Sequence, residues 1–279
     1  MRQMFTLLII FVLVFSSVDA FSQLSRKNQF EIYAGAGFPL SPDEFKDFYK
    51  VGLSLNVQYV FFPSYRLGIP IFAGFESFTV DNQALTDYYG PAYTEFNNYL
   101  FRSDIIGVPL YDNLGNYLGT ITDGNLQSEI NFEGTQNAFK FGIGIRPYLT
   151  PPEASTQLFL FGNATYNILK SKTKYKESIN GASVTVEDVS GNLYTYTFTE
   201  QDLIDVGWET QTSSEEKDDE NRMGIGFGAG IEVPVGEKLN LIFQGMYNLI
   251  FTKKIKDEFT GEEYGGTTSF IGATAGVVF

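Results

Sequence analysis

The sequence predicts an all-β fold, an eight-stranded antiparallel up-and-down transmembrane β-barrel, on three observations. Eight segments alternate apolar residues with small or polar ones at a period of two. No residue of their apolar rows is charged, although 19% of the chain is. The connections between the segments are short and long by turns.

The first segment, 30–38, sets Phe30, Ile32, Ala34, Ala36 and Phe38 against Glu31, Tyr33, Gly35 and Gly37. Segments 51–61 and 66–78 continue the pattern with Val51, Leu53, Leu55, Val57, Tyr59 and Phe61, then Leu67, Ile69, Ile71, Ala73 and Phe75. Segments 138–146 and 158–168 follow with Phe139, Phe141, Ile143 and Ile145, then Leu158, Leu160, Gly162, Ala164, Tyr166 and Ile168. Segments 223–233 and 239–250 carry Met223, Ile225, Phe227, Ala229, Ile231 and Val233, then Leu239, Leu241, Phe243, Gly245, Tyr247 and Leu249. The last row is Ile271, Ala273, Ala275, Val277 and Phe279. A lipid-facing Lys or Arg at the bilayer midplane costs about 2–4 kcal/mol, so contact with lipid accounts for rows without charge. Tilted strands of about 9–11 residues cross the hydrocarbon core, and only a closed barrel pairs every backbone group there. Pro70, inside the third segment, predicts a bulge or a missing bond.

Short connections at 62–65, 147–156 and 234–238 and long ones at 39–50, 79–137, 169–222 and 251–269 give an even strand number with the long loops on one side. The loops at 79–137 and 169–222 are the expected extracellular ones and hold much of the acidic charge. Two hairpins are expected within them. One flanks Ser190-Gly191-Asn192, with 184–187 and 193–198 as its arms; the other flanks 113–116. Either would add to the eight strands if it entered the wall. The run Glu215-Glu216-Lys217-Asp218-Asp219-Glu220 reads as a solvated surface stretch, and no spacing of an EF-hand kind makes it a cation loop.

Parity sends six charges into the lumen: Glu31, Arg66, Glu76, Lys140, Arg146 and Glu232. Three acids and three bases in a barrel just wide enough for side chains to fill must pair. Two lumenal ion networks are therefore expected, Glu31, Arg66, Arg146 and Glu232 at one end and Glu76 with Lys140 at the other. Inward glycines leave room for Phe72, Phe78, Phe159, Phe161 and Phe270, which opposes a wide pore. Aromatic girdles are expected from Tyr59, Phe61, Phe62, Tyr65 and Tyr148 on one side, and from Phe38, Phe78, Phe139, Tyr166, Tyr247 and Phe251 on the other. A soluble, lipocalin-like barrel would carry the same alternation with its apolar rows facing inward.

Composition removes several functions. The net charge of −14 argues against nucleic acid as a partner. The chain has no cysteine to staple it and no histidine for acid–base or zinc chemistry. The alternate glycines of 224–230 make a small-residue strand face, not a phosphate loop, and no cofactor or metal motif is present. Trp208, in an acidic stretch, reads as a loop-packing residue. At the N-terminus a short basic start, an apolar run from Phe5 to Phe15, and Ala20 and Ser22 at a cleavage position give residues 1–22 the layout of a secretory signal peptide. Residues 23–279 are then the exported barrel domain.

The final strand, ending on Phe279 with Val277, Ala275, Ala273 and Ile271 alternating behind it, resembles the assembly signal of bacterial outer-membrane proteins. With the signal peptide and the eight segments, the chain resembles the small OmpA/OmpX-like barrel family, in a form with large outer loops. The resemblance implies a place in the outer membrane of a Gram-negative bacterium, lipid as the solvent of the wall, and handling by the barrel-assembly machinery. Nothing follows the last strand, so the periplasmic peptidoglycan-binding domain of larger members is not expected. Barrel lipases, acyltransferases and proteases resemble one another in using a histidine, so the expectation is a protein without enzymatic activity. It would display acidic loops to an extracellular partner; the alternative is a narrow channel or transporter for small or apolar solutes.

Overall fold

The computed structural model describes residues 27–112, 114–151, 154–236, 239–256 and 263–279. The segment read as a signal peptide lies outside them. Twelve strands occur among the described residues: β1 (Gln29–Ser41), β2 (Gly52–Ser64), β3 (Leu67–Thr79), β4 (Pro109–Tyr111), β5 (Tyr117–Pro147), β6 (Gln157–Glu187), β7 (Leu193–Thr199), β8 (Gln211–Pro234), β9 (Asn240–Ile250), β10 (Lys254–Lys256), β11 (Glu263–Gly265) and β12 (Thr268–Val278). Three helices accompany them: α1 (Asp43–Phe48), α2 (Asn82–Ile105) and α3 (Glu200–Asp205). The chain divides into two compact units. One takes residues up to Phe78 with Gln136–Lys170 and Asp219–Phe279; the other takes Thr79–Thr135 and Ser171–Asp218.

The first unit is a closed, antiparallel, eight-stranded barrel. Its strands run in the order β5, β3, β2, β1, β12, β9, β8, β6, and β6 pairs back to β5. These are the eight segments that the alternation marks. At the seam Phe30 and Phe279 exchange backbone bonds of 3.3 and 2.9 Å, tying the C-terminal residue to the first strand. The wall is inverted relative to a soluble barrel. Leu55, Phe141, Ile143, Phe227 and Ile271 are exposed on the outside, and Ser54, Asn56, Gln58, Asn167 and Asn248 are buried within. That polarity rules out the lipocalin-like reading, because water would then face the apolar rows.

The lumen is filled from both ends. Tyr33, Val60, Phe62, Tyr148, Phe159, Phe161, Ile242, Met246 and Val278 form one buried cluster. Phe45, Phe78, Ala138, Leu169, Ile250 and Phe270 form a second. Phe45 is the single buried residue of α1 and meets Phe78 edge-on, with ring centroids 5.0 Å apart. Glycines make space for these rings. A Cβ on Gly228 would stand 2.7 Å from Phe161 Cζ, and one on Gly52 would stand 2.6 Å from Phe78 Cδ1. Phe62, Phe78 and Tyr148, counted among the girdle aromatics, are buried in the lumen. Pro70 sits opposite Val60 in an unbroken ladder, and the irregularity between β2 and β3 falls between Phe61 and Ser64. A proline removes one donor but inserts no extra residue, so the register need not shift.

The second unit is not an irregular loop. Phe101, Ile121, Leu126, Ala182, Val184, Val186 and Leu203 form a core of its own, with Trp208 packed against it. Both expected hairpins are present: β6 with β7, and β4 with β5. Two of their strands, β5 and β6, are themselves barrel strands, so the hairpins leave the barrel count at eight. The tips repeat one design. Asp112 Oδ1 accepts from the backbone N–H of Leu114 and Asn116 at 2.9 and 2.8 Å; Asp188 Oδ1 accepts from those of Ser190 and Asn192 at 2.7 and 2.9 Å. Gly115 and Gly191 both take φ +81°, where a side chain would be strained. The acidic run 215–220 lies in β8 rather than in a loop.

The 24-residue helix α2 is absent from the sequence reading. It lies along β5, and its polar side chains bond to alternate backbone positions of that strand. Asn82 Oδ1 accepts from Phe132 N at 2.8 Å, and Asn98 Oδ1 accepts from Leu126 N at 2.5 Å. Thr86 Oγ1, Thr94 Oγ1 and Arg102 Nε donate to the carbonyls of Ile130, Ser128 and Gly124 at 3.2, 3.5 and 2.7 Å. The spacing of four along the helix, interrupted at Gly90, is met by the spacing of two along the strand. A helix here does for the edge of β5 what a neighbouring strand does elsewhere.

Candidate functional site in the barrel lumen

The inward rows of β1, β3, β5 and β8 bring five charged residues into the lumen. Glu31, Glu76, Lys140, Arg146 and Glu232 are each 2% exposed or less. They fall into two groups. In one, Arg146 grips Glu31 with both arms of its guanidinium, Nη1 to Oε1 at 2.7 Å and Nη2 to Oε2 at 3.1 Å. Tyr33 and Gln58 donate to the same carboxylate. Arg146 Nη2 also reaches the Tyr33 hydroxyl at 3.0 Å, and its guanidinium carbon lies 4.5 Å from the centre of the Phe159 ring. Tyr148 extends the group, donating to Glu232 Oε2 at 3.4 Å, while Asn240 and Gln29 donate to Glu232 Oε1 at 2.6 and 3.1 Å.

In the other group Lys140 pairs with Glu76, and Ser54 Oγ donates to the same carboxylate oxygen at 3.3 Å. Asn56 donates to Ser54 at 3.0 Å. Glu76 Oε2 is buried and has no hydrogen-bond partner among the described residues. Between the groups lies a cavity of about 20 Å³ lined by Asn56, Gln58, Arg146, Asn163 and Gln244, among others. That is room for about one water molecule.

Arg66 does not join them. It is exposed in the turn between β2 and β3, where its carbonyl accepts from Tyr148 N at 2.8 Å. Parity fails for it because β3 begins at Leu67; a turn residue follows no alternation, and a cation left in water avoids desolvation. Parity places Tyr33 on the inward row but gives it no part in the network, and Tyr148 is expected on the girdle. The signal for Tyr33 is its position two residues from Glu31, hence on the same face.

The residues of the C-terminal signal lie on the outer face of β12 or at its end, with Ile271, Ala273, Ala275 and Phe279 exposed and Val277 partly so. Among the described residues no group of His, Cys, Asp or Glu is arranged to hold a metal ion.

No protein-family model matches the chain, and no curated protein matches it in sequence. Solved structures resemble it at low identity. Neisserial surface protein A aligns at a TM-score of 0.41 and 10% identity, over 92% of this chain and 98% of that one. A major outer membrane protein from Thermus thermophilus aligns at 0.41 and 11%, over 91% of this chain and 100% of that one. The outer membrane protease OmpT from Escherichia coli aligns at 0.33 and 10%, over 90% and 96%. The class rests on the strand order and the inverted wall: this is a small, eight-stranded β-barrel of the outer-membrane kind.

Proposed function

We propose that the chain is a non-enzymatic outer-membrane anchor whose barrel holds an acidic, folded unit for contact with an extracellular partner. The observation that carries this reading is the division of charge. The second unit has eighteen acids against five bases, net −13; the first has fifteen against fourteen, net −1, and together these give the −14 of the whole chain. A neutral barrel with a filled lumen suits an anchor better than a conduit. A unit with its own core and a strong single-sign charge suits recognition. The barrel-assembly machinery would fold it into the membrane, with Phe279 and the row behind it as the signal.

Heat-modifiability and surface proteolysis test the reading together. The unboiled protein is expected to migrate faster than the boiled form, and protease added to whole cells is expected to cut within 79–135 or 171–218. Deleting 82–135 and 172–218 should leave the barrel inserted and abolish adhesion. Unchanged adhesion overturns the display role, and a large steady conductance in planar bilayers restores the channel reading.

A further inference from the structure

Surface helices normally bury an apolar stripe and show a polar one, and α2 does much of the reverse. Its Asn, Thr and Arg side chains are spent on the edge of β5. Tyr88, Phe96, Tyr99 and Leu100 are 67, 59, 69 and 44% exposed. With Ala92 they recur at helical spacing, so they form one face rather than scattered exceptions. Exposed acids, Asp87, Glu95 and Asp104, share the helix with them.

We propose that this aromatic face of α2 is a docking surface for a cationic, Lys/Arg-rich polypeptide segment. Charge complementarity selects the occupant. A second copy of the chain would set a unit of net −13 against another, and an anionic lipid surface would be repelled in the same way. A guanidinium or ammonium gains twice, from the carboxylates and from the ring faces of Tyr88, Phe96 and Tyr99. Aromatic side chains supply large contact area at small entropic cost, and they dominate binding energy where they cluster. The proposal rests on the display reading only in that this unit must face the medium.

The test uses the purified full chain in detergent and a fluorescein-labelled oligo-arginine peptide. Salt-sensitive binding is expected, weakened about tenfold or more by Phe96→Ser with Tyr99→Ser and Leu100→Ser, as for central interface aromatics. Glu95→Gln with Asp104→Asn should weaken it at low salt. Trp208 packs on Phe101 from the buried side of the same helix, with ring centroids 5.4 Å apart, so unchanged Trp208 emission certifies the fold of the variant. If the triple variant alters that emission, Tyr99→Ser alone carries the test, since Tyr99 is the most exposed of the four. Equal binding by the parent and a folded variant overturns the proposal, as does no binding by the parent. A dimer, or binding to zwitterionic vesicles, that the variant abolishes assigns the face to a second copy or to lipid and overturns it too. These measurements do not depend on orientation in the cell, so their failure is distinct from failure of the surface-protease test.

Discussion

Arg146 and Glu31 face each other inside the barrel as a two-pronged ion pair, with N···O distances of 2.7 and 3.1 Å and almost no solvent exposure. Their strands are far apart in sequence, and Tyr33, Gln58 and Tyr148, which also bond to the pair, are neutral donors and acceptors. Such a pair holds its geometry because each charge would be costly to leave alone.

Removing one partner should therefore hurt more than removing both. Glu31→Gln or Arg146→Met alone is expected to cost about 3–5 kcal/mol, because a buried charge is stranded. The double replacement should recover much of that loss. The temperature at which the fast-migrating folded form disappears on unboiled gels, measured for the two single variants and the double, checks this. Additive losses would mean that the two residues act separately.

Glycines beneath lumenal rings give a second contrast. A Cβ on Gly230 would press on the Phe159 ring and stand 2.7 Å from the Phe243 carbonyl oxygen. On Gly162 its nearest neighbour would be the Gly226 carbonyl oxygen at 3.9 Å. Gly230→Ala is expected to destabilise by about 1–3 kcal/mol as an overpacked core does. Gly162→Ala should be neutral on the same unfolding assay.

The barrel was legible because lipid imposes a rule on every second residue: rows such as Val51 to Phe61 have only one solvent that suits them. The inward placement of Glu31, Glu76, Lys140, Arg146 and Glu232 was legible from the same alternation. Arg66 misled because strand ends obey no parity. The second unit was largely hidden. Helix α2 has Gly90 and Pro91 at its middle and turns Tyr88, Phe96, Tyr99 and Leu100 outward while burying Leu85 and Phe101, so its pattern does not read as a helix folded onto a core. The hairpin tips were visible from their glycines and asparagines, but the structural role of Asp112 and Asp188 was not, because it depends on side-chain bonds to backbone.

Acid should act on a specific carboxyl in the second unit. Hydrogen bonds from Lys172 and Lys217, at 2.8 and 2.6 Å, hold Glu215 down at about 2, below the usual carboxylate range. Its folded value is depressed, so its contribution is present above the ordinary carboxylate pKa and is lost as pH falls through that value toward about 2. The group lies at the surface and its effect on global stability is small. Carboxyl NMR titration should find Glu215 about where stated in the parent chain. In Lys172→Ala with Lys217→Ala it should return to the ordinary range, and a Glu215 already titrating there in the parent would contradict the geometry.

Asn98 offers the most local test of how α2 is held. It is buried, and its side-chain oxygen takes the backbone N–H of Leu126 at 2.5 Å. Asn98→Ala leaves that donor buried without its acceptor, a loss of about 1–3 kcal/mol. Phe101, three residues on, packs edge-on against Trp208, the only tryptophan in the chain. Loosening the helix should admit water to that ring. Denaturant titration followed by tryptophan emission is therefore expected to show Asn98→Ala shifting the Trp208 transition to lower denaturant while the heat-modifiable barrel stays folded. Asn98→Asp keeps an acceptor oxygen in place and should lose less. If alanine and aspartate at this position behave alike, the bond to Leu126 does not hold the helix to the strand, and the packing of Phe101 and Leu85 must hold it alone.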